Sequence, residues 1–318
     1  MIRASAWPAL AALATMLVGS LALALMFGNG SIAWPDSAVD WQIVLDIRLP
    51  RALAALATGS LLALAGTLMQ VLLRNPLADP YVLGVSGGAA TFSLAGMLLG
   101  LTLLPIELLA FAGALVSSII VFVLGQGSGP WSTARMLLTG VVVAAGWGAV
   151  ISLMLALGDD QSLRGMLFWL MGDLSYARIS AWWLPAVAAL TALLMLRARS
   201  LNILAAGETQ AALLGEDPRR RYTEIYVVAS ALTALAVSIA GTVGFVGLVV
   251  PHLMRLVVGA DHRRLLPAAA VFGGAFLVLA DTLARNLFSP RQLPVGVLTA
   301  LIGVPLFLIL LNRTGGKK

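Results

Sequence analysis

Ten apolar stretches, each near the roughly 20 residues a helix needs to cross a bilayer, follow one another through this 318-residue chain. They cover residues 7–27, 52–73, 85–103, 106–124, 136–157, 179–196, 224–240, 245–258, 266–283 and 295–311. Lipid offers no partner to a bare peptide group, so such stretches must satisfy their own backbone hydrogen bonds as helices. The expected fold is an all-α integral membrane protein of about ten transmembrane helices. No polar domain interrupts the series, so residues 1–318 read as one transmembrane unit. The stretches at 224–240 and 245–258 are short and also read as one broken span. Arg3 before the first stretch gives it the outline of a signal peptide. Its length and the spans behind it favour a retained helix.

Only 11% of the residues are charged, against about 25% in soluble domains. That excludes a soluble globule, a disordered tail and a nucleic-acid binder, although the net charge of +6 would otherwise suggest the last. In an apolar chain, excess Lys and Arg mark cytoplasmic loops. With ten spans, Arg48, Arg51, Arg164, Arg178, Arg285 and Arg291 face one side, and the other 14 of the 20 basic residues face the opposite one. Both termini are therefore expected in the cytoplasm. No Cys and only two His, His252 and His262, leave no thiolate or His-rich metal site.

Ala65-Gly66-Thr67 in the second span and Ala240-Gly241-Thr242 at the end of the seventh form a faint echo. It fits an inverted repeat of spans two to five on spans seven to ten. Many of the 32 Gly, including Gly84 and Gly88, lie in spans where small residues let helix backbones approach. No G-x-x-x-x-G-K-[ST] occurs, so any nucleotide would be bound by another chain.

Four constellations stand out. Arg48-Leu49-Pro50-Arg51 lies at the outer mouth of span two, with Pro50 at a helix start. These arginines are either headgroup anchors or a docking point for a partner's carboxylates, with Arg285 as a third contact. Arg74 to Pro80, bracketed by prolines, is either a plain turn or a functional one, and Arg74 and Asp79 can pair. The polar stretch 197–221 reads as two short helices broken near Gly207, the second ended by Gly215 and Pro218. Its length suits a surface for a cytoplasmic partner. Fourth, Pro251 interrupts the run from Gly244 to Arg255. His252 there is either a proton relay or haem ligand, or simply hydrogen-bonded. Asp281 is an intramembrane carboxylate and a functional candidate, but Arg285 at i+4 offers a local ion pair.

RLPR, A-G-x-x-x-Q (Ala65 to Gln70), RNPLADPYVLGVSGGA (Arg74 to Ala89), GFVGLVVPHLMR (Gly244 to Arg255) and LPVGVLTALIGVPLF (Leu293 to Phe307) occur in this order. Together they resemble the FecCD-type permeases of bacterial ABC importers for iron–siderophore complexes, haem and cobalamin. The resemblance implies a homodimeric permease of the bacterial inner membrane. Separate cytoplasmic subunits would bind and hydrolyse Mg-ATP, a periplasmic binding protein would deliver cargo, and no cofactor or catalytic residue would reside in this chain. It assigns Arg48, Arg51 and Arg285 to binding-protein docking. Asn75, Leu77, Thr133 and Ala134 match the cytoplasmic gate, where related cobalamin permeases can carry Ser at the position of Ala134. The ATPase-coupling helices match Leu201 to Gly215, including Asn202, Gly207, Glu208, Ala211 and Leu214. Two other classes place demands that the residues alone can be held against. An ion-coupled carrier of a small solute needs ionisable groups along a pathway, and only Asp281 and His252 present themselves. An intramembrane enzyme needs a catalytic constellation at one depth, and the sequence offers none.

Overall fold

The computed structural model describes residues 6–315 apart from 29, 30, 33, 102, 127–130, 176 and 178. Arg3, Arg178, Lys317 and Lys318 of the charge argument lie outside the described residues. The chain is a helical bundle: α1 (Ala6–Met26), α2 (Ala38–Ile43), α3 (Leu49–Leu72), α4 (Val85–Leu98), α5 (Ile106–Gln126), α6 (Thr133–Leu157) and α7 (Asp160–Leu170). There follow α8 (Trp183–Leu196), α9 (Ala198–Ala205), α10 (Glu208–Leu213), α11 (Pro218–Ala240), α12 (Val246–Val258), α13 (His262–Asn286) and α14 (Val295–Gly315). Five helices among the described residues are long and apolar enough to cross a membrane, and α8 with α9 forms a sixth such unit bent by 57°. Shorter apolar helices at Ala11–Met26, Val85–Leu98, Val246–Val258 and Val295–Ile309 complete the expected set. Two short antiparallel strands, Phe27–Gly28 and Ser31–Ile32, follow α1.

Helix α3 is the axis of the bundle. Every residue from Arg51 to Leu72 is buried, as a helix apolar on all sides must be. The sequence placed its start at Pro50, but α2 runs through a π turn, Val44–Arg48, into α3 as one 35-residue helix, Ala38–Leu72. A π turn carries an extra residue and can absorb a proline that would otherwise break the ladder. Ser37 starts this rod with a capping box: its hydroxyl accepts from the Asp40 N–H, and the Asp40 carboxylate accepts from the Ser37 N–H, both at 3.1 Å.

Packing follows the glycines, because lipid removes the hydrophobic drive between helices. α13 crosses α3 where Gly273 meets Gly59, and a Cβ on either would run into the other's carbonyl oxygen. Gly66 faces the Gly247 carbonyl of α12, and Gly88 of α4 faces Gly113 of α5. The pairings are reciprocal: α3 packs on α13 and α11 on α5, while α3 and α11 pack on each other. Both α4 and α12 open on a left-handed residue followed by Val: Gly84 at φ 72° and Phe245 at φ 68°. The three-residue echo in the sequence falls elsewhere, with Gly66 inside α3 and Gly241 closing α11. By contrast, only 6% of the apolar window of α6 is buried.

Several boundaries differ from hydropathy. The third stretch ends at Leu98 rather than 103. Pro218 opens α11 instead of closing the helix before it, since a first-turn proline needs no N–H partner. The Asp217 side chain caps that helix, accepting from Arg219 at 3.1 Å and Arg220 at 3.3 Å.

Candidate functional site

Near the start of α3, this helix and α13 bring together residues 230 positions apart. The Arg51 guanidinium grips Asp281 through Nε (2.9 Å to Oδ2) and Nη2 (2.8 Å to Oδ1). Its Nη1 donates to Gln292 at 2.9 Å and Ser175 at 3.3 Å. Arg285 Nε stands 3.4 Å from Asp281 Oδ2, so the i+4 pair read from sequence is present. It also donates to the Ala24 carbonyl at 3.1 Å, tying α13 to α1. Arg51 is 6% exposed and Asp281 2%. Both arginines are thus held inside the protein. Arg48 is half-buried and donates to the Leu25 carbonyl at 2.7 Å. Sequence periodicity gave no sign that Arg51 would meet Asp281.

At the other end, α3 closes on a turn at Arg74, which takes φ 47°. Its N–H bonds to the Val71 carbonyl and the Asn75 N–H to the Gln70 carbonyl, both at 3.2 Å. This is the Schellman arrangement, with Arg where glycine is usual. The exposed Asn75 carboxamide oxygen accepts from the Leu77 N–H at 2.9 Å, which stiffens the turn. Asp79 does not pair with Arg74. Its carboxylate accepts from the Tyr81 N–H at 2.8 Å and caps a short 3-10 helix, Pro80–Leu83. Thr133 and Ala134 form the first turn of α6, behind the Ser132 cap.

The stretch after α8 contains the two short helices expected. Gly207 at φ 125° separates them and Gly215 at φ 82° follows the second. Leu201, Leu204 and Ala211 turn inward, while Leu213 and Leu214 are 82% and 67% exposed. Asn202 fastens α9 to the start of α13. Its Nδ2 donates to Asp261 at 2.7 Å, and its Oδ1 accepts from the His262 N–H at 2.9 Å. The Asn202 amide, and then the Arg263 N–H, hold the Asp261 carboxyl below its ordinary value. Arg221 bridges Glu216 at 2.8 Å and Glu224 at 2.7 Å, tying the end of this loop to α11. Bonding to Arg221 likewise depresses the Glu216 carboxyl.

In α12, Pro251 has no N–H for the Gly247 carbonyl, which instead lies against Gly66. Gln70 of α3 reaches the same helix, its Nε2 donating to the Leu248 carbonyl at 3.2 Å. His252 differs from the expectation of a hydrogen-bonded imidazole. Both ring nitrogens are buried without a hydrogen-bond partner among the described residues.

Helices packed backbone to backbone, an ionic cluster at one end and two loop helices at the other define a multi-pass membrane permease. The FecCD transport family model matches residues 9–313. The chain is 41% identical to the cobalamin import system permease protein BtuC of Halobacterium salinarum, covering 98% of this chain and 89% of that protein. It is 40% identical to the hemin transport system permease protein HmuU of Yersinia pestis, covering 95% and 93% respectively. A solved inward-facing metal-chelate type ABC transporter superposes with a TM-score of 0.87 at 31% identity, covering 96% of this chain and 99% of that one. This chain belongs to the FecCD transport family.

Proposed function

We propose that this chain is the permease of an ATP-driven importer carrying a metal chelate (an iron–siderophore complex, cobalamin or haem) across the bacterial inner membrane. The observation that carries the reading is the pair of loop helices. They present Leu213 and Leu214 outward while Asn202 and Arg221 fix them to α13 and α11. A loop built this way transmits a push as a rigid body. The roles of Leu201, Asn202, Gly207, Glu208, Ala211, Leu214 and Gly215 in ATPase coupling follow from it. Mg-ATP is bound by the partner, and both termini lie on the same cytoplasmic side. The cytoplasmic gate is the Asn75–Leu77 turn with Thr133 and Ala134 of α6. A second copy of the chain covers the exposed apolar face of α6, where cargo passes. The reciprocal helix pairings and the two left-handed entries to α4 and α12 support an inverted repeat.

The binding protein docks at the opposite mouth. Arg48 is the outermost contact, with Arg51 and Arg285 behind it. Because Asp281 already holds Arg51 and Arg285, an incoming carboxylate must compete for them. Arg48→Glu is expected to weaken docking at least ten-fold, on the order of 1.4 kcal/mol, with the larger loss at low salt. Pull-down of the binding protein across a salt series checks this, and unchanged retention removes Arg48 from the docking face.

The function is tested in liposomes holding the permease with its ATPase, using cyanocobalamin, haemin and ferrichrome as probes. Uptake of one probe should require both ATP and the binding protein. Uptake that follows an ion gradient and ignores ATP would instead mark an ion-coupled secondary carrier.

A further inference from the structure

Helices α8 and α11 both pack on α3, and α9 turns away from α8 by 57° at Arg197. Between α8, α9 and α11 lies a cavity of about 210 Å³. Its apolar lining is Leu68 of α3, Leu201 and Leu204 of α9, Leu194 of α8, and Ile225 and Val228 of α11. Arg197, Ser200, Arg221 and Glu224 complete it. Chain order sorts this lining by depth. α8 presents Leu194 and then ends at Arg197, while α11 presents Arg221 and Glu224 before Ile225 and Val228. The charged groups therefore stand where the two helices end, and the apolar ones lie about one turn further into the bundle. One flank is open: Val228 is 38% exposed, and Val227 next to it and Leu196 at the end of α8 are 56% and 79% exposed. Exposed apolar surface of this kind on spanning helices meets lipid.

The charges at the mouth do not cancel. Arg221 bridges Glu216 and Glu224, and Arg220 reaches Glu224 at 3.3 Å. Arg197 is exposed and forms no ion pair among the described residues. Two carboxylates thus face three guanidinium groups, and the uncancelled one lines the cavity.

Resting on the permease reading above, which puts this end at the cytoplasmic face, we propose that the slot binds one anionic phospholipid of the cytoplasmic leaflet. An acyl chain lies between α8 and α11 over Leu68, and the phosphodiester sits on Arg197. An acyl chain suits an apolar slot open along one flank, and one phosphodiester matches one uncancelled guanidinium. A zwitterionic headgroup would bring a cation of its own beside the exposed Arg219 and Arg220, so phosphatidylglycerol is favoured over phosphatidylcholine. Inorganic phosphate would leave the apolar slot unfilled. Because the lipid fills a gap in the folded chain, it also stabilises the fold.

The test uses the purified full chain in detergent, stripped of lipid and titrated with phosphatidylglycerol, phosphatidylcholine or inorganic phosphate. Native mass spectrometry counts bound lipid, and tryptophan fluorescence reads the unfolding midpoint. The parent should hold phosphatidylglycerol about five-fold more tightly than phosphatidylcholine, as one interfacial arginine supplies, and should unfold at a higher temperature with it. Arg197→Gln should abolish that preference and keep the lipid-free midpoint, since the side chain is exposed. Val228→Trp fills the slot from its open flank and should weaken both lipids. Arg199→Gln, an exposed arginine of α9 outside the lining, should leave the preference intact. Equal losses from Arg197→Gln and Arg199→Gln would mark diffuse attraction to a basic surface and overturn the site. A parent with no preference, a Val228→Trp variant that binds like the parent, or inorganic phosphate that raises the midpoint as far as the lipid does would overturn it too. Each of these results leaves ATP-driven uptake in liposomes to be measured separately, so the site can fail while the permease reading stands.

Discussion

Asp281→Ala is expected to remove most of the folded protein from the membrane. The carboxylate it deletes is the shared anion of two buried guanidinium groups, gripped by Arg51 at 2.8–3.1 Å and approached by Arg285 at 3.4 Å. The side chains of Arg51 and Asp281 are 7% and 2% exposed, so water cannot screen the loss. Removing one partner of a buried pair costs about 3–5 kcal/mol, a large share of the 5–15 kcal/mol typical of a folded domain. Arg51 keeps Gln292 and Ser175, but neither is charged. The measurement is detergent-extracted yield and the unfolding midpoint followed by tryptophan fluorescence. The triple exchange Arg51→Met, Asp281→Leu, Arg285→Met should recover much of the loss, because it removes the stranded cations along with the anion. A single variant that melts within about 2 °C of the parent, less than ~1 kcal/mol for a chain of this size, would show that the cluster does not hold α3 to α13.

Gly66→Leu should be comparably damaging by a different route. Any Cβ at that position runs into the Gly247 carbonyl, and Gly247 is itself pressed against Pro80 and the Leu62 carbonyl. Overpacking usually costs about 1–3 kcal/mol. The upper end applies here because the obstacle is backbone, which has no alternative rotamer. In lipid the close approach is itself the source of helix association, so forcing α3 and α12 apart removes the gain as well as adding a clash. Size-exclusion chromatography after mild extraction should show aggregate in place of the parental peak. Gly19→Leu, on α1, is the control, since nothing lies within 4 Å of a Cβ there. Equal behaviour of the two variants would refute the packing account.

How much of this was legible before the structure depended on range. The break at Gly207, the two loop helices and the Asp281–Arg285 pair all lie within one or two turns, where spacing reports directly on contact. Hydropathy located the apolar helices but missed α7, because an amphipathic helix of 11 residues leaves no apolar window. It also misjudged Pro50, whose fate depended on a π turn that no local pattern announces. The Arg51–Asp281 grip and the Arg48 bond to Leu25 join distant segments. Periodicity carries no information about such contacts.

The rod from Ala38 to Leu72 is about 52 Å long at 1.5 Å per residue, well beyond the ~30 Å hydrocarbon core. Its N-terminal tip bears the exposed Val39, Trp41 and Ile43, and its C-terminal end finishes at the turn carrying Arg74 and Asn75. It is a cantilever clamped along its C-terminal two-thirds, with only the π turn to flex. The exposed tip and the turn at Arg74 are therefore the two ends of one continuous helix, and a load placed on one end has no loop in which to dissipate before it reaches the other.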